Sequence, residues 1–296
     1  MLSFLKLETV TRRAPLGIRF VDIVREVGIS DSLAVQAWQK GTSGPKLTAL
    51  ASPLSGVYGF RTLPGLGDFE VGRRPASDWC GPAPDTSPPS DIRASGAIYG
   101  WVTADENEAK ANFIVTVEDR LGRFLPQLLL MCLPKEKLIE VPLFSSPARP
   151  VLPGLGIIRG ELATPAGIPA GWGLVTAILG DRNYVTVADA RGMFVIFVPY
   201  ARFPVLQNGG FPQGNVLIDQ LAWDVTIQVA YEPSKQLFIA GVAPPDSLSI
   251  LQQGGTTVYG QVGTPLVELQ TKIYFGQELV VRTGDLSQLL IDPALP

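Results

Sequence analysis

The stretch Val187-Ala188-Asp189-Ala190-Arg191-Gly192-Met193-Phe194-Val195-Ile196-Phe197-Val198-Pro199 decides how the chain is read. A β-branched run from Tyr184 to Val187 stops at Asp189, Gly192 permits a positive φ, and Phe194, Ile196 and Val198 then alternate with Val195 and Phe197. The pattern predicts a hairpin. Upstream, Ile157 to Leu162 and Trp172 to Leu179 are two more strand-like runs, separated by turn residues from Thr164 to Gly171. Short strands joined by tight turns point to a β-sandwich.

The phrase Gly160-x-Leu162, a Gly/Pro turn, an apolar strand, and then Ala188-Asp189-x-x-Gly192-x-Phe194 closing on Val198-Pro199 resembles the carboxypeptidase-regulatory, transthyretin-like domain. The resemblance covers about a sixth of the chain and rests on turn and core residues, so it implies a fold and no chemistry. Gly56-Val57-Tyr58-Gly59-Phe60-Arg61-Thr62-Leu63-Pro64 echoes Gly192 to Pro199, with an aromatic two residues after glycine and a Leu-Pro or Val-Pro close. The two halves therefore read as copies of one module.

The expected organisation is all-β: an arm at 1–16, a first β-sandwich domain at 17–146 with a Pro/Gly-rich insertion at 65–95, a linker, a second, regulatory-like sandwich at 151–283, and a C-terminal extension at 284–296. Asp119-Arg120-Leu121-Gly122-Arg123-Phe124 has the spacing of Asp189 to Phe194 and predicts a second hairpin turn. Trp223, Val225, Ile227 and Val229 alternate with polar residues and predict a half-buried strand. Further strands are expected at Ile18 to Val27, Leu33 to Trp38, Ile98 to Val102, Phe113 to Val117, Leu125 to Leu133, Ile139 to Phe144, Leu237 to Val242, Val258 to Val262, Leu266 to Phe275 and Leu279 to Arg282, a helical turn at Ala104 to Lys110, and a short helix at Asp246 to Gln252.

Composition narrows the chemistry. The 296 residues include 31 Gly, 26 Pro and no His, with 46% hydrophobic and 17% charged residues and a net charge of −3. Without histidine there is no Ser/His or Cys/His device and no imidazole metal ligand. Lys and Arg never cluster beyond a pair, so nucleic acid is not an expected partner. No run is long enough to span a bilayer, and a charge at Lys6 comes too early for a signal peptide; a cytoplasmic location is expected. Cys132 reads as a free buried thiol in a reducing compartment, with a disulfide to Cys80 as the alternative.

Asp119, Gly122, Asp189 and Gly192 read as turn residues rather than paired acids or calcium ligands. Asp105-Glu106-Asn107-Glu108 lacks the spacing of a calcium loop, and Gly65-x-Gly67 and Gly154-x-Gly156 precede no helix that would make them phosphate loops. No catalytic residue, cofactor or metal is expected. Trp38, in register with Gln36, and Trp79 in the insertion are the candidate interaction residues.

The wording Phe113-x-Val115-x-Val117-x-Asp119-x-x-Gly122-Arg123-Phe124-Leu125-Pro126, followed by Pro150-x-x-Pro153-Gly154-Leu155, resembles uncharacterised proteins of phage-tail-like contractile injection system clusters. It implies a non-enzymatic baseplate, cap or adaptor subunit that contacts other subunits of a particle assembled in the cytoplasm. The alternative is a surface-displayed carbohydrate- or protein-binding module using Trp38 and Trp79.

Overall fold

Strand-forming alternation and turn glycines give the chain its layers. The computed structural model describes residues 12–42, 44–80, 110–200 and 221–294. Most of the expected arm, the insertion beyond Cys80, the elements expected at 98–102 and 104–110, the acidic run at 105–108 and the loop at 203–214 lie outside the described residues.

In the first half, β1 (Gly17–Asp22) lies between antiparallel β2 (Val27–Ile29) and β6 (Tyr58–Gly59) on one side and parallel β9 (Ile139–Leu143) on the other, and β5 (Leu50–Ala51) pairs with β6. Facing it is an antiparallel sheet of order β4-β3-β7-β8, made of β3 (Leu33–Gln39), β4 (Leu47–Thr48), β7 (Phe113–Asp119) and β8 (Gln127–Met131). Ile18, Phe20, Val35, Ala37, Val115, Val117, Leu129 and Val141 fill the space between the two sheets. The expected strand from Ile18 to Val27 divides into β1 and β2, because the chain reverses at Glu26 with φ of 55°.

The second half repeats the plan. β10 (Leu155–Ala163) lies between antiparallel β13 (Met193–Pro199) and parallel β18 (Glu278–Val281). The facing sheet runs β12-β11-β14-β17, from β11 (Leu174–Leu179), β12 (Arg182–Val187), β14 (Ala222–Ala230) and β17 (Leu269–Tyr274). Each of these strands has a counterpart in the first half, and β6 and β13 hold the same place. The echo between Gly56–Pro64 and Gly192–Pro199 thus falls on equivalent strands. Additions to the second half are α3 (Ser247–Leu251), the hairpin β15 (Val258–Gln261) and β16 (Thr264–Leu266), and β19 (Leu289–Leu290), which extends the parallel edge of β10. Leu289 and Ile291 close the second core, so the C-terminal extension packs on its own half.

Two expectations are corrected. The hairpin read over Tyr184 to Val198 is a crossing between sheets: β12 pairs with β11, and β13 pairs with β10. Period-two alternation shows that two strands are adjacent in sequence but not which neighbour each pairs with. Asp119 to Phe124, by contrast, does join an antiparallel pair, β7 and β8. The strand read at Leu237 to Val242 is irregular; its Leu237, Ile239 and Val242 instead cover Trp38, Ile114, Leu128 and Leu130 on the outer face of the first half.

Candidate functional site

The turn residues use up their own polar groups. Asp189 accepts from the amides of Arg191 (2.8 Å) and Met193 (3.0 Å), and Gly192 takes φ of 82°. Asp119 accepts from the amide of Arg123 at 2.6 Å and from its Nε and Nη2, both at 3.1 Å, while Gly122 has φ of 66°. Burial pushes the Asp119 carboxyl up, but the hydrogen bonds and charge of Arg123 outweigh it and hold the carboxyl below its ordinary value. The two aspartates sit in different turns, each saturated locally, and do not form an acid pair. Among the described residues no group of three or more Cys, Asp or Glu is placed to hold a metal ion.

The expected exposure of Trp38 is corrected. It lies on the outer face with Gln36, as its register requires, but only 9% of it is exposed, because the 237–242 segment covers that face; Lys46 Nζ stands 4.5 Å above its ring. Trp79 is half-buried against the first core, edge-on to Phe69 at 6.4 Å. The free thiol read at Cys132 is also corrected: Cys80 and Cys132 form a disulfide across 52 residues. The thiol therefore gives no ground for a reducing compartment.

What the structure brings together is a seam between the halves. Arg149 donates from Nη2 to Asp22 Oδ2 at 2.5 Å, and from Nη1 to Asp22 Oδ1 at 3.1 Å and Ser145 Oγ at 2.9 Å. Its guanidinium lies 4.8 Å from the Phe124 ring and 5.6 Å from that of Phe197. Asp22 is 1% and Arg149 5% exposed, so this is a bidentate ion pair out of water, capped by aromatics from both halves. Around it, Leu125 and Phe144 meet Trp172, Val187 and Ile250, while Val24 meets Leu152, Val195 and Phe197. Asp246 closes the edge of β8: its Oδ1 accepts from Leu130 N at 2.9 Å, and its Oδ2 caps α3 through Ser249 N at 3.1 Å.

Neither Arg149 nor Asp22 stood out as a site in the sequence. Asp22 carried one signal: it continues the inward register of Ile18 and Phe20, where an acid demands a buried partner. Arg149 gave none, lying between prolines in an expected linker.

An open groove of about 430 Å³ lies beside the seam, lined among others by Pro147, Arg159, Glu161, Arg191 and Val280. Its charges are mutually engaged: Arg159 Nη1 donates to Pro147 O at 3.1 Å and its Nε lies 3.1 Å from Glu278, and Arg191 pairs with Asp189 at 3.3 Å. No helix among the described residues is long and apolar enough to cross a membrane. Comparison with protein-family models, curated proteins and solved structures gives no match.

Proposed function

We propose that the chain is a non-enzymatic structural subunit, a baseplate, cap or adaptor of a phage-tail-like contractile injection system. The observation that supports it is the seam: two sandwiches of one topology, joined through the buried Asp22–Arg149 pair and apolar clusters from both halves, form a block suited to hold neighbours at a fixed spacing. The class of assembly rests on the resemblance of Phe113 to Pro126 to proteins of such clusters. The test is mild purification of the tagged chain from its native cells, with mass spectrometry and negative-stain imaging. Co-purifying sheath, tube or baseplate proteins on rod-shaped particles support the proposal; a chain that elutes alone at its monomer mass overturns it.

A second reading, a surface-displayed protein-binding module, draws on the charged groove beside the seam. Burial of Trp38 removes one of the two aromatic platforms that reading had offered. A monomeric chain that binds a polypeptide through Arg159 and Arg191 would favour it.

A further inference from the structure

The disulfide does more than close a loop. Its first cysteine ends α2 (Ser77–Cys80), a single turn with no buried residue. The backbone bonds of that turn are all local, from Asp78 to Pro75 O and from Trp79 and Cys80 to Ala76 O. Two described long-range contacts hold it: the Trp79 ring on the first core beside Phe69, and the sulfur bridge to Cys132 just beyond β8. The chain re-enters the described fold at the same spot. Asn112 donates from Nδ2 to Leu133 O at 2.8 Å and accepts from Leu133 N at 2.8 Å, and its own amide reaches Met131 O at 3.1 Å. Residues 80 and 112 therefore both abut the 131–133 strand end, one through a bond that reduction breaks and one through hydrogen bonds that it does not.

We propose that Cys80–Cys132 is a reducible latch. Oxidised, it keeps α2 and Trp79 on the first core; reduced, it releases that turn while both sandwiches stay folded. The reductant is a dithiol. One of its thiolates attacks Cys80 Sγ, half-exposed where Cys132 is only 6% exposed, and Cys132 leaves as a thiolate that takes up a proton. The second thiol of the reductant then displaces Cys80 as a thiol. Two electrons and two protons pass to the protein, and the reductant departs as its cyclic disulfide.

The latch is local because each half has its own core of buried side chains, and neither Cys80 nor Cys132 is a member of either. The test uses the full chain, purified without reductant and compared with and without dithiothreitol, and a Cys80→Ser variant. Hydrogen exchange is read by mass spectrometry over 76–80 and over 113–119. The expected result is no free thiol before reduction. After it, exchange over 76–80 rises tenfold or more, exchange over 113–119 is unchanged, and alkylation reaches Cys80 before Cys132; Cys80→Ser should show the same exchange without reductant. Free thiols in the unreduced chain overturn the latch, as does unchanged exchange over 76–80 after reduction. An equal rise over 113–119 overturns it too, since the bond would then staple the whole first half.

Discussion

At the scale of the residue, Gly122 and Gly192 share a motif but not an environment. Both have positive φ, yet a Cβ on Gly122 meets nothing within 4 Å, while one on Gly192 overlaps the carbonyl of Leu162. Gly122→Ala should therefore cost only the left-handed penalty, about 1 kcal/mol, and Gly192→Ala more than about 2 kcal/mol, measured by denaturant unfolding. Asp119 makes a prediction in pH. Its folded carboxyl is held below the ordinary 3.8, so the unfolded chain binds that proton more readily. The stabilisation is complete above the unfolded value and is lost as pH falls through the lowered folded one. Between about pH 5 and pH 2 the wild type should lose more stability than Asp119→Asn, which cannot titrate there. Equal losses would show that the Arg123 contacts do not bias the carboxyl.

At the scale of the element, α3 and the irregular 231–246 stretch act as a lid sewn onto another half's sheet. Alternation in Phe113 to Val117 and Trp223 to Val229 was legible because each strand has one face in its own core. Leu237 to Val242 was misread because an apolar run shows that it is covered but not by which surface, and this one covers Trp38 by contact without pairing. The crossing at Asp189 was misread for a related reason: β13 is buried on both faces, so its run carries no sidedness to distinguish pairing with β12 from pairing with β10. Asp246 binds the lid at its end. Asp246→Ala removes the α3 cap and strands the buried Leu130 amide, and should cost about 2–3 kcal/mol. Hydrogen exchange should show the loss first at Leu130 and over 247–251; protection there equal to the wild type would contradict the contact. Trp38→Ala, which empties a covered site rather than a binding platform, should cost about 3–5 kcal/mol by the same unfolding measurement.

At the scale of the molecule, the question is why two sandwiches of one topology should behave as one body. The equivalent outer faces differ in a telling way. The β3–β7–β8 face carries Trp38, Ile114, Leu128 and Leu130 and is covered, whereas the matching β11–β14–β17 face enters the seam at one end through Leu174 and Ala230 and carries exposed Asp224, Gln228 and Lys272 over the rest. Apolar outer-face positions thus fall where the halves dock, and charged ones where the second half meets solvent. The Asp22–Arg149 pair ties the linker to the first half, and Phe197 of the second half lies against its guanidinium. Arg149→Met leaves Asp22 buried without its counter-charge and should cost about 3–5 kcal/mol, while adding Asp22→Leu should recover much of that loss. Beyond the inward register of Asp22 none of this was legible beforehand, because a tandem reading of the sequence separates the modules at the very residues, 145 to 150, that join them.

Scanning calorimetry of the intact chain, repeated with Arg149→Met, reads the seam most directly. A single transition whose calorimetric and van't Hoff enthalpies agree is expected for the wild type, dividing into two when the pair is cut. Two separate transitions in the wild type would contradict a locked seam, and with it the fixed spacing on which the structural role depends.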